Sequence, residues 1–205
     1  MRKITYGVTG TSKEVCRHAV DYKSATHIID FRFIAMNIPC IETKRLILRG
    51  QKSTDWDKYE SFMCSERSIY MGGPYGQSQA WGWFCSDLAL WTLYGYGALM
   101  IDDIVTGDCV GQVGINDGPL FPEQELGWFL YSGWEGKGYA YEAAISLRSW
   151  AIQQGLLRSL VSYISPANRR SRNLALKLGA VIDRDATRFD SGDLVFRHSL
   201  KQVID

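Results

Sequence analysis

Three neighbouring residues, Gly136, Lys137 and Gly138, have the chemistry of an anion-binding turn. Backbone N–H groups at the first turn of a helix have no partner within the helix, and the helix macrodipole adds partial positive charge there. Glycine lets a phosphate approach such a backbone closely, and the lysine adds a mobile charge. The turn therefore favours a phosphate site, although short glycine motifs also occur in plain strand-to-helix loops.

The residues on either side of this turn predict the strand and the helix that a phosphate site needs. Apolar side chains at the even positions of residues 125–131 alternate with more varied ones at the odd positions, which indicates a strand with two distinct faces. After the turn, small and apolar residues recur at helical spacing as far as Gln154, and Gly155 is a stop signal. The helix stripe consists of Ala140, Ala143, Ala144, Leu147 and Ala151.

Two other phosphate-binding motifs do not fit this turn. A Walker loop requires Gly-Lys-Ser/Thr, and Tyr139 does not offer a hydroxyl that holds magnesium in the usual way. A dinucleotide fingerprint requires a third glycine and an acidic residue on the following strand. Ala140 and Tyr141 stand after the turn instead, and residues 158–164 contain no acidic residue.

Several segments of the chain occur in an order that is known from one enzyme family. These segments are residues 43–49, the glycines at 107, 111 and 114, residues 125–128, residues 136–140, and the run from Asn168 through Ser171 to Ala180. Together they resemble the GCN5-related N-acetyltransferases (GNAT), especially the RimJ/RimL-like branch, from residue 41 to the C-terminus.

The resemblance implies a single α/β (α+β) domain with the GNAT fold over residues 41–205. Its central sheet is expected to be mixed and mostly antiparallel, with about six to seven strands and about four flanking helices. Two central parallel strands, around residues 128–131 and 160–164, are expected to splay apart. Residues 1–40 are outside the resemblance: either Met36 is the natural start, or the segment is an extension that packs on the sheet or on a partner subunit.

The resemblance also implies acetyl-CoA as the cofactor, with its diphosphate on the glycine turn and its pantetheine along the open strand. Asn168 and Ser171 have the spacing of a helix cap, and the family asparagine also lies near the pantetheine. Glu135 departs from the family pattern because it brings negative charge to the diphosphate. The expected cofactor-binding residues are Phe129, Leu130, Tyr131, Glu135, Gly136, Lys137, Gly138, Tyr139, Ala140, Asn168 and Ser171.

Transfer of an acyl group to an amine requires removal of a proton, because amines are mostly charged at neutral pH. Glu125 stands where relatives carry an acidic residue that is proposed as the base; the alternatives are an exposed strand end, or Glu123 as the base. Ala175 stands where many relatives carry a tyrosine that protonates the leaving sulfur. By analogy with relatives, the wall on the acceptor side is expected to contain Tyr70, Met71, Tyr75 and Trp81. For Trp81 and the other aromatic residues of the helix that follows Gln77, the alternative is core packing.

These features predict an N-acetyltransferase that moves an acetyl group to a primary amine by direct transfer in a ternary complex. The amine belongs either to a protein or peptide N-terminus or to a small molecule, and its identity is open. The alternative is a catalytically silent acyl-CoA-binding module, which the absence of the tyrosine favours.

Composition bounds the remaining choices. The 205 residues are 46% hydrophobic and 22% charged with a formal charge of +1, which gives no case for nucleic acid or an anionic membrane. No apolar run reaches the length of a membrane-spanning helix. Five dispersed cysteines and three distant histidines predict a cytoplasmic protein with reduced thiols and no metal site. A monomer or a homodimer is expected.

Overall fold

The computed structural model describes residues 38–201, which form one eight-stranded sheet. The order across the sheet is β1-β2-β3-β4-β5-β6-β8-β7, and every neighbouring pair is antiparallel except β5 and β6. The predicted mixed, mostly antiparallel sheet is confirmed, with β1 as an additional short strand. The strands are β1 Ile41–Glu42, β2 Leu46–Arg49, β3 Ala98–Asp103, β4 Cys109–Asn116, β5 Glu125–Leu130, β6 Val161–Ile164, β7 Val181–Asp183 and β8 Leu194–Arg197. The predictions about Met36 and a role for the first 37 residues lie outside the described residues.

Four α-helices flank the sheet in the described part of the chain: α1 Trp56–Met63, α2 Gln77–Tyr94, α3 Tyr139–Gln153 and α4 Arg169–Lys177. Short 3-10 helices precede α1 at Ser53–Asp55 and follow it at Glu66–Met71. From their residue types, Asp55 and Ser78 are expected to cap α1 and α2, but neither side chain does so. The Asp55 carboxylate makes no capping bond to α1 and instead binds the Arg49 guanidinium at 2.8 Å. Helix α2 begins two residues earlier than a Ser78 cap would require, with Gly76 as the N-cap.

Strand β5 separates two apolar clusters, one on each face of the sheet. Leu126 lies in the larger cluster, together with the buried residues Ala143 and Leu147 of α3. Phe129 and Tyr131 lie in the second cluster, where the ring centroids of Phe129 and Phe62 are 4.2 Å apart. The predicted two-faced strand is therefore confirmed. Because both faces are covered, β5 has a fixed register between the clusters.

The parallel strands β5 and β6 touch only at one end. Their ladder contains a single residue pair, Glu125 opposite Val161, whereas β4 and β5 are paired at six positions. Beyond that pair, the Ser162 hydroxyl donates a hydrogen bond of 2.6 Å to the Leu126 carbonyl. The remaining length of β5 has no strand beside it on this edge. The predicted splay of the central pair is confirmed.

Gly111 permits the close approach of β4 to β5 on the opposite edge. A Cβ atom at this position would lie 2.2 Å from the Phe129 carbonyl oxygen and 2.9 Å from the Leu130 Cα. Both atoms belong to the backbone, so they cannot move aside as a flexible side chain would. The strand that borders the gap therefore depends on a glycine in its neighbour.

We predict that Gly111→Ala lowers the free energy of unfolding by about 2 kcal/mol or more, since overpacking against backbone forces the strands apart. Gly82→Ala is the matched control, because a Cβ at Gly82 meets nothing within 4 Å and the residue lies within α2. In a helix, that control is expected to be neutral or to stabilise by about 0.5–1 kcal/mol. Urea unfolding of both variants tests the prediction, and equal midpoints for the two would contradict it.

Candidate active site

A cavity of about 620 Å³ occupies the gap between β5 and β6 and extends over the β4–β5 surface toward α2. Three of the four residues expected on the acceptor side line it. Tyr70 and Met71 reach it from the 3-10 helix, and the Tyr75 hydroxyl donates a hydrogen bond to the Met71 carbonyl. Trp81 does not line this cavity. Its ring packs against Trp56 and Phe84 at centroid distances of 4.9 and 5.7 Å.

Glu125 lies in this cavity at the first residue of β5, where the gap opens. Its side chain is partly buried, and Asn116 Nδ2 donates a hydrogen bond of 3.0 Å to Oε2. Burial raises the pKa of Glu125 to about 7, against the lowering effect of the bonds from Asn116 and from the Tyr163 backbone. A carboxyl group with this pKa can both accept and release a proton near neutrality.

Glu123, the other carboxylate considered as a base, has a structural partner instead. Both of its oxygens accept hydrogen bonds of 2.8 Å from the Arg197 guanidinium, which also binds Asp183 at 2.6 Å. The bonds from Arg197 hold the pKa of Glu123 below its ordinary value. Glu123 is not among the residues that line the cavity. It therefore joins the end of β8 to the start of β5.

The register of β5 decides which backbone groups face the gap. The Tyr131 N–H donates a hydrogen bond of 2.8 Å to the Val110 carbonyl, and Phe129 is paired with Gln112 on β4. Because bonding directions alternate along a strand, residues 128 and 130 present their N–H groups to the open edge. Phe129 and Tyr131 therefore direct their N–H groups toward β4, so the expectation that all three residues from 129 to 131 offer backbone groups to the pantetheine is wrong for these two and holds for Leu130. Trp128, which the sequence did not single out, has its N–H on the open edge.

The glycine turn has the geometry of an anion site. Gly136 and Gly138 adopt positive φ angles of 78° and 82°, and Gly138 is the N-cap of α3. No other described residue accepts a hydrogen bond from the backbone N–H groups of residues 136–140. These donors lie at the positive end of a 15-residue helix. The turn is adjacent in sequence to β5 but does not line the acceptor cavity.

Residues of the glycine turn contact side chains that lie outside it. The Lys137 ammonium lies 4.3 Å from the centroid of the Trp134 ring, and the Lys137 carbonyl accepts a bond of 2.9 Å from Arg45. The Tyr139 hydroxyl donates a bond of 2.5 Å to Asp103 Oδ2. These contacts use side chains and a carbonyl, so they leave the N–H donors free. Ala140 is partly buried in the first turn of α3.

Glu142 and Arg45 form a contact that the sequence did not reveal. The Glu142 carboxylate accepts bonds from the Arg45 backbone N–H at 2.9 Å, Arg45 Nε at 2.7 Å and the Thr43 hydroxyl at 2.7 Å. Burial opposes ionisation, but these donors keep the pKa of Glu142 below its ordinary value. An acidic residue in the first helical turn was the available signal. The contact ties the start of α3 to the strand β2 region.

Glu135 is neutralised by a second arginine that was also missed, Arg67. The two side chains form a close ion pair, and Glu135 also accepts a bond of 2.9 Å from the Gly133 N–H. Burial alone would raise the pKa of Glu135, but the hydrogen bond from Arg67 keeps this pKa below its ordinary value. Arg67 donates a further bond of 2.9 Å to the Leu130 carbonyl on the open edge. The Arg67 guanidinium thus connects the Leu130 carbonyl on the open edge of β5 to Glu135 in the loop before the glycine turn.

The remaining predicted residues lie at the start of α4. Asn168 Oδ1 accepts a hydrogen bond of 3.1 Å from the Ser171 N–H, so the predicted cap is confirmed, and both residues line the cavity. Ala175 is fully buried against Ile164 and Phe196. Its methyl side chain offers no hydroxyl that could act as an acid.

Two general findings apply to the part of the chain that the structure describes. No group of three or more His, Cys, Asp or Glu side chains in residues 38–201 is arranged to hold a metal ion. Within the same range, every helix is too short or too polar to cross a membrane.

Comparisons with known proteins agree with this geometry. Residues 45–181 match the family model described as an acetyltransferase (GNAT) domain. The acetyltransferase from Agrobacterium tumefaciens str. C58 is 53% identical and superposes with a TM-score of 0.77, covering 79% of this chain and 95% of its own.

Two more distant structures share the fold. One is a Salmonella typhimurium acetyl transferase that modifies the N-terminal serine of ribosomal protein L7/L12, with 15% identity, coverage of 76% and 93%, and a TM-score of 0.58. The other is the microcin C7 self immunity acetyltransferase in complex with acetyl-CoA and AMP, with 14% identity, coverage of 76% and 91%, and a TM-score of 0.58. The extent of the family match and the identity to the Agrobacterium enzyme show that this chain belongs to the GNAT family of acetyltransferases.

Proposed function

We propose that the protein is an N-acetyltransferase that moves the acetyl group of acetyl-CoA directly to a primary amine in a ternary complex. The observation that carries the proposal is Glu125, a carboxyl group with a pKa of about 7 that stands in the cavity where β5 and β6 separate. Glu125 thus places a proton acceptor beside the open edge of β5. The two features serve the two halves of one reaction, an amine acceptor and an extended thioester donor.

The residues present fit acetyl-CoA. The free N–H groups of residues 136–140 and the α3 macrodipole suit the diphosphate. The N–H groups of Trp128 and Leu130 suit the amides of the pantetheine, with Asn168 and Ser171 on the other side of the gap. Arg67 has to release the Leu130 carbonyl if the pantetheine is to bond there. The microcin enzyme, which shares the fold, was solved with acetyl-CoA.

In this reaction acetyl-CoA supplies an activated acyl carbon, and the residues of this chain position the amine and move its proton. Glu125 accepts the proton that the ammonium must lose. The amine nitrogen then bonds to the acyl carbon while the carbon–sulfur bond breaks. A backbone N–H on the open edge, from Trp128 or Leu130, stabilises negative charge on the carbonyl oxygen. Ala175 offers no acid for the departing sulfur, so the second proton that the nitrogen loses would pass to water or to the departing thiolate itself.

Direct transfer is favoured over a route through a cysteine. None of the described residues that line the cavity is a cysteine. Cys109 is buried, and burial raises the pKa of its thiol to about 11. A thiol with that pKa is a poor nucleophile at neutral pH. Glu125 therefore needs to deprotonate the amine itself rather than activate a protein nucleophile.

A silent acyl-CoA-binding module is the second candidate, and the buried Ala175 is the observation that favours it.

We predict that Glu125→Gln lowers turnover by about 10²-fold or more while coenzyme A affinity is retained, since only proton transfer is lost. Release of free thiol across a panel of amines measures turnover, and calorimetry measures affinity.

Glu123→Gln is the matched control for this prediction. It removes a carboxylate only two residues away that pairs with Arg197 outside the cavity. The control is expected to keep its turnover. If Glu125→Gln and the wild type release thiol at the same rate above background, Glu125 is not the base. If neither protein releases thiol although coenzyme A binds, the silent binding module is supported.

The pH dependence of turnover follows from the raised pKa of Glu125. Below about pH 7 the carboxyl group is increasingly protonated and cannot accept a proton, so the rate should fall by about tenfold per pH unit. The measurement is kcat/KM against pH, which reports the ionising groups of the free enzyme. The limb near pH 7 is expected in the wild type and is expected to be absent in Glu125→Gln. A wild-type profile that stays flat between pH 5 and pH 8 would count against a base of this pKa.

The glycine turn yields a separate prediction for the coenzyme. Gly138→Ala places a side chain at a φ of +82° and 3.4 Å from Arg45, and the resulting strain of about 1–2 kcal/mol should weaken coenzyme A by about tenfold or more. Gly155→Ala is the matched control, since Gly155 has a φ of +67° at the other end of α3 with nothing within 4 Å. Calorimetry on both variants separates loss of the turn from general strain. Equal affinities in the two variants would exclude the turn as the coenzyme site.

A further inference from the structure

The acceptor cavity has an unbalanced charge. Its lining contains four carboxylates, and no lysine, arginine or histidine is among the described residues that line it. Arg67 and Arg197 are paired with Glu135 and Glu123, which do not line the cavity. The four carboxylates are Asp87, Glu125, Asp190 and Asp193. Like charges in one cavity disfavour ionisation, and burial together with Asp190 raises the pKa of Asp193. Such a cavity is complementary to a molecule with positive charge.

Asp87 is one of the three carboxylates in this cavity that the proposed reaction does not use. It lies on α2 with only 7% of its surface exposed, yet it lines the cavity. Its Oδ2 atom accepts bonds from Gln112 Nε2 at 3.0 Å and from the Tyr59 hydroxyl at 3.3 Å. Its Oδ1 atom accepts no hydrogen bond from any described residue. Burial raises the pKa of Asp87 to about 7, and an ammonium group that donates a hydrogen bond to the free Oδ1 atom from the cavity would favour the charged carboxylate.

Strand β4 fixes the relation between Asp87 and Glu125. Gln112, which holds Asp87, and Asn116, which holds Glu125, lie four residues apart on this strand. Side chains at this spacing point to the same face of a sheet, and the rise of a strand separates the two anchors by about 13 Å. The two carboxylates are therefore held on one face of the sheet, at different points along one cavity. A compact acceptor with one charge cannot meet both.

The walls around Asp87 suit a flexible, weakly polar chain that carries an ammonium group. Tyr59 contacts Asp87, and Tyr75 and Trp83 lie with ring centroids 6.3 Å apart. All three line the cavity together with Met63. Aromatic faces attract ammonium groups, and apolar side chains contact methylene groups favourably.

We propose that the acceptor is a small linear diamine or polyamine, whose reactive amine lies at Glu125 while a second ammonium binds Asp87 Oδ1. This inference rests on the proposed function and names the substrate class of the same site. Asp87 acts as a specificity residue, because it binds the part of the acceptor that does not react. A peptide N-terminus carries one ammonium and leaves Asp87 unpaired.

The test compares acceptors that differ in the second ammonium. Thiol release is measured with spermidine and putrescine, with butylamine as the matched monoamine, and with a peptide that begins with serine. For the wild type, kcat/KM with the better of the two polyamines, spermidine or putrescine, is expected to exceed kcat/KM with butylamine by about tenfold or more. A hydrogen bond between charged groups in a cavity contributes about this much. This comparison needs no variant, so it stands even if a substitution at Asp87 impairs folding.

Asp87→Asn then tests the residue itself. Asparagine keeps an acceptor oxygen for Gln112 and Tyr59 but removes the charge. The variant is expected to lose kcat/KM for the diamine by about tenfold more than for butylamine, mainly through KM. Glu125→Gln, in contrast, should lower kcat for every acceptor. Thermal unfolding of each variant checks that the fold is kept.

Several results would overturn the proposal. Equal use of butylamine and the diamines, or preference for the serine peptide, would exclude the acceptor class while leaving acetyl transfer intact. Equal losses for all acceptors in Asp87→Asn would show a purely structural carboxylate. If no amine supports thiol release although coenzyme A binds, the proposed function fails together with this inference.

Discussion

The parting of β5 from β6 is the constraint on which the rest of the structure depends. The ladder between them ends after Glu125 and Val161, and the Ser162 hydroxyl then takes the Leu126 carbonyl in place of a backbone donor. Since the Ser162 proton goes to that carbonyl, the neighbouring His198 Nε2 at 3.0 Å must donate its own N–H. Burial lowers the pKa of His198 to about 4, which keeps the ring neutral in this role. These contacts close one end of the gap and leave the rest of the β5 edge available to an extended ligand.

The ion pairs around the open edge of β5 and the glycine turn leave the backbone N–H groups of both without a partner in the described part of the chain. Two arginines from outside the central strand stabilise the acidic residues around the turn, with Arg45 on Glu142 and Arg67 on Glu135. Neither arginine takes a backbone N–H of the turn, because both are donors only. On the other side of the gap, no lysine, arginine or histidine is among the described residues that line the cavity with its carboxylates. The two sides of the gap thus differ in charge, with free backbone donors at the turn and carboxyl groups in the cavity.

The sequence predicted features whose causes are local. Alternation along residues 125–131 predicted the two-faced strand, and the glycine turn before a helical stripe predicted the α3 N-terminus. Features that depend on distant partners were not predictable. Asp55 has the chemistry of a cap, but Arg49 and its neighbours lie close enough to take its carboxylate. Which N–H groups face the gap depends on the register with β4, and a shift of one residue would exchange them. The pKa of Glu125 reflects burial, which a strand end does not reveal.

The most direct test of the open edge and the turn as one coenzyme site is a backbone amide titration by NMR, using coenzyme A and its two halves. Pantetheine should shift the amides of Trp128 and Leu130, adenosine diphosphate should shift those of residues 136–140, and coenzyme A should shift both sets with one affinity. Coenzyme A that saturates the protein while leaving either set unperturbed would contradict the assignment of the gap and the turn to a single ligand.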